Sequence, residues 1–151
     1  MDPQEQVSEW LQSEGRQKGQ PYNLNENGIC VMTDDAGNEC VVEVPRGSRI
    51  VYFYAPVVLV NPENRAESFE KAVTMNLYGL QTNESCLAYD PKVNRIILYY
   101  SAHIFFLEGT TFSNAFNNFL LTLQKVREDF STNSVLSGSI QPAFQYPQLK
   151  V

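Results

Sequence analysis

The sequence predicts an α+β fold: helix, three strands, helix, two strands, helix, with an antiparallel twisted sheet packed by helices. Three observations carry this prediction. Segments of period 2 and segments of period 3.6 follow one another along the chain. Consecutive strands are separated by short turns, which make antiparallel hairpins. Two strands, one inside Arg49–Val60 (RIVYFYAPVVLV) and one over Arg95–His103, are apolar on both faces. An antiparallel strand with one wet face would alternate with polar residues, so each of these two needs cover on both sides.

The chain opens on Asp2-Pro3, an N-cap followed by proline in the first helical turn. Val7, Trp10 and Leu11 form a short apolar stripe, with Glu5, Glu9 and Glu14 elsewhere on the helix, which should end between Gly15 and Gly19. Trp10 reads either as packing against the sheet or as a half-exposed anchor for a partner. Ile29–Thr33 and Glu39–Val44 are strands joined by the hairpin loop Asp34-Asp35-Ala36-Gly37-Asn38. The paired carboxylates of that loop read as turn-formers, because no ligand set accompanies them. The third strand runs from Arg49 to about Ala55. Pro56 then removes a ladder donor and leaves Val57–Val60 as an edge or connecting segment.

Asn61-Pro62-Glu63 starts the second helix, with Ala66, Phe69, Ala72, Val73, Leu77 and Leu80 on one face. Met75 and Tyr78 form a smaller second patch. Asn76, in the middle of the main face, must be hydrogen-bonded if buried, and a backbone edge is its natural partner. Ser85–Tyr89 and Arg95–His103 are strands around an Asp90-Pro91-Lys92-Val93-Asn94 turn. Thr110-Thr111 caps the last helix, where Phe112, Ala115, Phe116, Phe119, Leu120, Leu123 and Val126 give the strongest helical period in the chain. Residues 1–130 are expected to form one domain and 131–151 a flexible polar tail, in which Phe144, Tyr146 and Leu149 could dock.

Composition narrows the function. With 17 acidic and 11 basic residues and a net charge of −6, the chain has no basic cluster for nucleic acid. No apolar run reaches the roughly 20 residues of a membrane span, and the polar start reads as no signal peptide. Cys30, Cys40 and Cys86 have no CxxC spacing and read as three reduced, buried thiols of a cytoplasmic protein. His103 is the only histidine and reads as structural. Neither a nucleophile–base pair, a metal set nor a Gly-rich phosphate loop stands out, so catalysis and cofactors are not expected. Three helices cannot hide both faces of a sheet this small, and the leftover apolar surface predicts a partner.

The order and several local stretches resemble the class I type III secretion chaperones, small homodimeric effector chaperones of Gram-negative bacteria. The stretches are Gly28-Ile29-Cys30-Val31-Met32-Thr33-Asp34, Val51-Tyr52-Phe53-Tyr54-Ala55-Pro56, Asn76, and Leu87-Ala88-Tyr89-Asp90-Pro91, within a span from Val7 to Phe130. The first helix lacks the family's Leu-rich pattern, and Thr82-Asn83-Glu84-Ser85 replaces its usual Gly-rich segment. The resemblance implies a bacterial cytoplasmic homodimer that holds the N-terminal segment of a secreted effector in extended form, without ATP. The secretion apparatus is a further implied partner. Under it, dimer contacts fall at Met75, Leu77, Tyr78 and Leu98. The effector groove falls at Val7, Trp10, Leu11, Ile29, Val31, Val51 and Phe53. A dimeric adaptor domain with a folded partner is the alternative, and a cysteine hydrolase or transferase ranks below both.

Overall fold

The computed structural model of the protein describes residues 1–33 and 38–131. The hairpin loop at Asp34–Gly37 and the tail from residue 132 onward lie outside the described residues. The elements are α1 (Pro3–Lys18), β1 (Ile29–Thr33), β2 (Glu39–Glu43), β3 (Ile50–Leu59), α2 (Arg65–Met75), β4 (Cys86–Asp90), β5 (Arg95–His103) and α3 (Gly109–Ser131). Short 3₁₀ turns follow α2 at Leu77–Gly79 and β5 at Ile104–Phe106. The five strands form one antiparallel sheet in the order β1-β2-β3-β5-β4. The predicted element order is the observed one.

All three helices serve one side of that sheet. Val51, Phe53 and Ala55 of β3 and Ile96 and Leu98 of β5 point into a core filled by Phe112, Phe116, Phe119, Leu123 and Val126 of α3. Phe53 is the centre of it, with the rings of Phe112, Phe116 and Phe119 edge-on at 5.5, 5.5 and 5.8 Å and Tyr100 stacked at 5.2 Å. Helix α1 is capped as its sequence dictates: the Asp2 carboxylate accepts from the Gln4 and Glu5 amides, and Gly19 ends the helix at φ 68°. It buries Val7 and Leu11, and also Glu14, which lies 3.9 Å from Lys18 rather than on the outer face. His103 is structural, its Nδ1 accepting from the Phe105 amide at 3.2 Å.

Two elements differ from expectation. Strand β3 does not stop at Ala55. It pairs with β5 through Pro56, shifts register between Pro56 and Val58, and continues to Leu59. Proline is tolerated there because the β2 ladder covers only Tyr52–Tyr54, so toward β2 the strand has edge character at Pro56. Its carbonyl is held instead by Arg127 of α3, with Nε at 3.0 Å and Nη2 at 2.7 Å. The second departure is α2, which starts at Arg65 after Asn61 and Asn64 accept from each other's amides. It buries Ser68, Ala72 and Met75, while Val73 and Leu80 are 72% and 61% exposed. Beyond Met75 the chain turns, with Tyr78 at φ 57°, and Leu77 and Leu80 leave the 100° progression. Met75 belongs to the core rather than to a second patch.

Asn76 clamps the end of α2 to β4 as its position suggested. Its Nδ2 donates to the Leu87 carbonyl at 2.9 Å and its Oδ1 accepts from the Leu87 amide at 2.7 Å. Leu87 is buried, so Asn76→Ala leaves a backbone donor and acceptor without partners. The expected cost is about 2–3 kcal/mol, read as a lower urea midpoint at unchanged slope. A loss within ~0.5 kcal/mol would mean that water replaces the amide at no cost.

The open sheet face as a candidate binding site

The side of the sheet away from the helices has no cover among the described residues. The register sets its side chains in rows. Val31 of β1, Val41 of β2, Tyr54 of β3, Tyr99 of β5 and Cys86 of β4 stand opposite one another in succession. Pro56, Ile97 and Ala88 form a neighbouring row, and Ile29, Glu43, Tyr52 and Ser101 the one on the other side. The middle of these rows floors a shallow depression of ≈ 760 Å³, lined by Val41, Tyr52, Tyr54, Pro56, Ile97 and Tyr99 and rimmed by Glu39, Glu43, Asp90 and Arg95. Most of this lining is apolar. Contiguous aromatic and aliphatic surface of this kind on a small domain marks an interaction site.

The Tyr54 and Tyr99 hydroxyls of this face keep their protons at physiological pH. Tyr54 donates to the Glu43 carboxylate at 2.7 Å. Burial, then that hydrogen bond, raises its pKa well above the usual phenol range. Tyr99 is raised as well, by the neighbouring Cys86 and then by burial. The face therefore offers rings and weak hydrogen bonds, with carboxylates at its margin. At each side it ends in an outer strand, β1 or β4, that pairs with one neighbour only. Such edges accept an added strand.

The thiols divide in two. Cys30 and Cys40 are buried between sheet and helices, whereas Cys86 is exposed on β4, contrary to the expectation of three buried thiols. Its outward register position opposite Tyr99 is the reason. Burial pushes the Cys40 thiol up to about 12 from 9.0, against a smaller opposing pull from Arg127, and burial raises Cys30 too. A native protein should thus take up one equivalent of iodoacetamide at Cys86, with Cys30 and Cys40 reacting only on unfolding. The raised Cys40 pKa means that the folded state binds more protons than the unfolded state between pH 9 and about 12. Stability is unaffected by this group below pH 9 and should fall through that window.

The residues singled out from sequence fall into three groups. Ile29 and Val31 lie on the open face, Val31 being 56% exposed. Val7, Leu11, Val51 and Phe53, with Met75 and Leu98 of the dimer set, are buried in the protomer's own core and present no side-chain surface. Trp10 is half-buried, its ring 5.2 Å from Phe112. Leu77 is half-buried, and Tyr78 is exposed beside Val73 and Leu80 on the outer side of the α2 end. Sequence reasoning left out Tyr52, Tyr54, Ile97 and Tyr99 as site residues. Their signal was the doubly apolar pattern of the two strands, which does not say which face the helices take.

Comparison with known proteins places this architecture. Solved structures that share it include a chain of the ExsC–ExsE complex, with TM-score 0.69 and 17% identity over 85% of this chain and 96% of that one. A chain of the HopA1–SchA chaperone–effector complex aligns with TM-score 0.62 and 16% identity, covering 81% and 93%. YbjN, a putative transcription regulator from E. coli, aligns with TM-score 0.63 and 11% identity, covering 84% and 90%. At these identities the likeness is one of fold: an open antiparallel sheet with helices on one face. Sequence supplies the rest, because the model of the Tir chaperone protein (CesT) family matches residues 10–127. The chain belongs to that family. Comparison with curated sequences finds no match. Among the described residues no helix is long and apolar enough to cross a membrane, and no group of three or more His, Cys, Asp or Glu is placed to hold a metal ion.

Proposed function

We propose that the protein is a type III secretion chaperone that binds the N-terminal segment of a secreted effector in extended form, in the bacterial cytoplasm and without chemistry of its own. The observation that carries this is the row Val31–Val41–Tyr54–Tyr99, an apolar strip running across the sheet from one outer strand with no helix over it. An extended client can lay alternate side chains on that strip and add main-chain hydrogen bonds at the β1 or β4 edge. Binding of this sort masks a sticky segment by mass action and needs no nucleotide.

The test is co-expression with candidate effectors, followed by limited proteolysis of what co-purifies. A protected stretch confined to the effector's N-terminal region supports the reading. Capture of a folded domain, with no protected extended stretch, would favour the adaptor alternative.

Under this reading the partner copy meets the outer side of α2 and the turn after it, where Val73, Tyr78 and Leu80 are each exposed. Tyr78→Glu sets a charge in the middle of that patch. Light scattering should then read a protomer mass where the wild type reads twice that value. An unchanged mass would move the dimer contact elsewhere.

A further inference from the structure

The open face lies beside the point where the described chain ends. Arg127, near the end of α3, donates to the carbonyls of Pro56 and Glu39, and both residues line the depression. Ser131 is the last residue of that helix. The chain continues as TNSVLSGSIQPAFQYPQLKV, residues 132–151. We propose that this segment is a built-in occupant of the chain's own open sheet face, seated through Phe144 and Tyr146 and displaced when a client binds. The inference rests on the client-binding reading above for its consequence, though not for the contact itself.

Composition fits the segment to the face. All 17 acidic residues precede it, and Lys150 is its single charged side chain. The rim it would meet carries Glu39, Glu43 and Asp90 against Arg95. A segment with no acidic side chain and one lysine adds no carboxylate side chain to that acidic rim. Phe144-Gln145-Tyr146 puts two rings on one side of an extended backbone, where Tyr52, Tyr54 and Tyr99 offer stacking partners. Pro142 and Pro147 bias the residues before them to extended geometry and remove two ladder donors. The segment would therefore lie across the face through its side chains rather than join an edge as a strand.

Reach is ample. From Ser131 to Phe144 an extended chain spans up to ~43 Å, whereas five strands at ~4.8 Å spacing are about 19 Å across. Tethering gives an effective concentration in the millimolar range, so even a weak intrinsic contact keeps the face occupied. If the segment covers the face four-fifths of the time, an incoming peptide binds about five-fold more weakly than to the bare face.

The experiment uses the full chain and a fluorescent synthetic peptide of residues 138–151. Phe144→Ser/Tyr146→Ser should bind the peptide about five-fold more tightly than wild type, and adding Tyr99→Ser should remove the gain. Equal binding by wild type and double variant, or no binding by either, overturns the proposal. A second arm places the contact: a spin label at Gln145→Cys, in a Cys86→Ser chain, should broaden the amide signals of Tyr54, Ile97 and Tyr99. Broadening centred on α1 or α3 overturns it. So does equal broadening of an unlabelled chain mixed with the labelled one, which would seat the segment on a second copy. Neither arm uses a client. Success here with client capture unaffected by Tyr99→Ser would move the client off this face and leave the segment's contact standing, whereas capture lost in Tyr99→Ser with neither result here would sink this proposal alone.

Discussion

Phe53→Ala is expected to lower the unfolding free energy by about 3–5 kcal/mol and the melting temperature by roughly 12 °C. Phe53 has no exposed surface and stands where β3 meets α3, with four aromatic rings within 5.8 Å. Its side chain is gripped from two elements. Phe112, Phe116 and Phe119 come from one face of a helix, and Tyr100 comes from the neighbouring strand in direct register. Removing the ring leaves a hole that neither the helix nor the ladder can close, because each is fixed by its own hydrogen bonds. The loss adds the transfer term for the ring to the cavity term. Against a typical domain stability of about 5–15 kcal/mol, that is roughly a fifth or more of the total. Urea unfolding with unchanged slope measures it. A loss below ~1 kcal/mol would mean that α3 slides to fill the space, and that the helix is less firmly seated than the packing of Phe53 indicates.

The same contact explains what the sequence could and could not tell. Hydrophobic period places residues on a common face, and it did so correctly for α3, whose Phe112-Phe116-Phe119-Leu123-Val126 stripe is buried as expected. It also showed that β3 and β5 are apolar twice over. Period 2 does not say which parity the helices cover. That is decided by where the α3 stripe lands, a long-range matter, and the stripe takes Phe53 and Leu98 and leaves Tyr52, Tyr54, Ile97 and Tyr99 outside. Val51 and Phe53 therefore belong to the protomer itself, and the same holds for Val7 and Leu11 under α3. Asn76 was legible because a polar residue on an apolar face needs a partner, and the Leu87 backbone supplies it. The α2 face was not legible, because which side of the helix meets β4 is a long-range matter, and the turn that carries Leu77 and Leu80 off that face sits at Tyr78, which is not a glycine and gives no composition signal. Pro56 misled for a related reason: proline argues for a strand end, and nothing local reveals that β2 is too short to need its amide.

Tyr99→Glu is expected to weaken capture of an extended client at least a hundredfold, about 2.7 kcal/mol, while the melting temperature moves by a few degrees at most. Tyr99 lies in the middle of the apolar row, between Tyr54 and Cys86, on the side of the sheet that none of the described helices covers. Its ring is half-buried only by its neighbours in the sheet, so little of the core depends on it. A carboxylate in its place removes an aromatic anchor and sets a charge where a bound peptide would have to strip its water. It also adds to an already acidic margin of Glu39, Glu43 and Asp90. Leu121→Glu is the matched control, since Leu121 is exposed on the outer side of α3, away from the sheet. Capture should survive it. The comparison with Phe53→Ala separates fold from function within one ladder, because Phe53 and its pairing partner Tyr100 face the helices while Tyr54 and its pairing partner Tyr99 face the open side. If Tyr99→Glu unfolds the protein as Phe53→Ala does, the open face is a second core surface hidden against another copy. If capture and melting are both unchanged, the client binds at the strand edges alone, through main-chain hydrogen bonds that a side-chain substitution on the face does not reach.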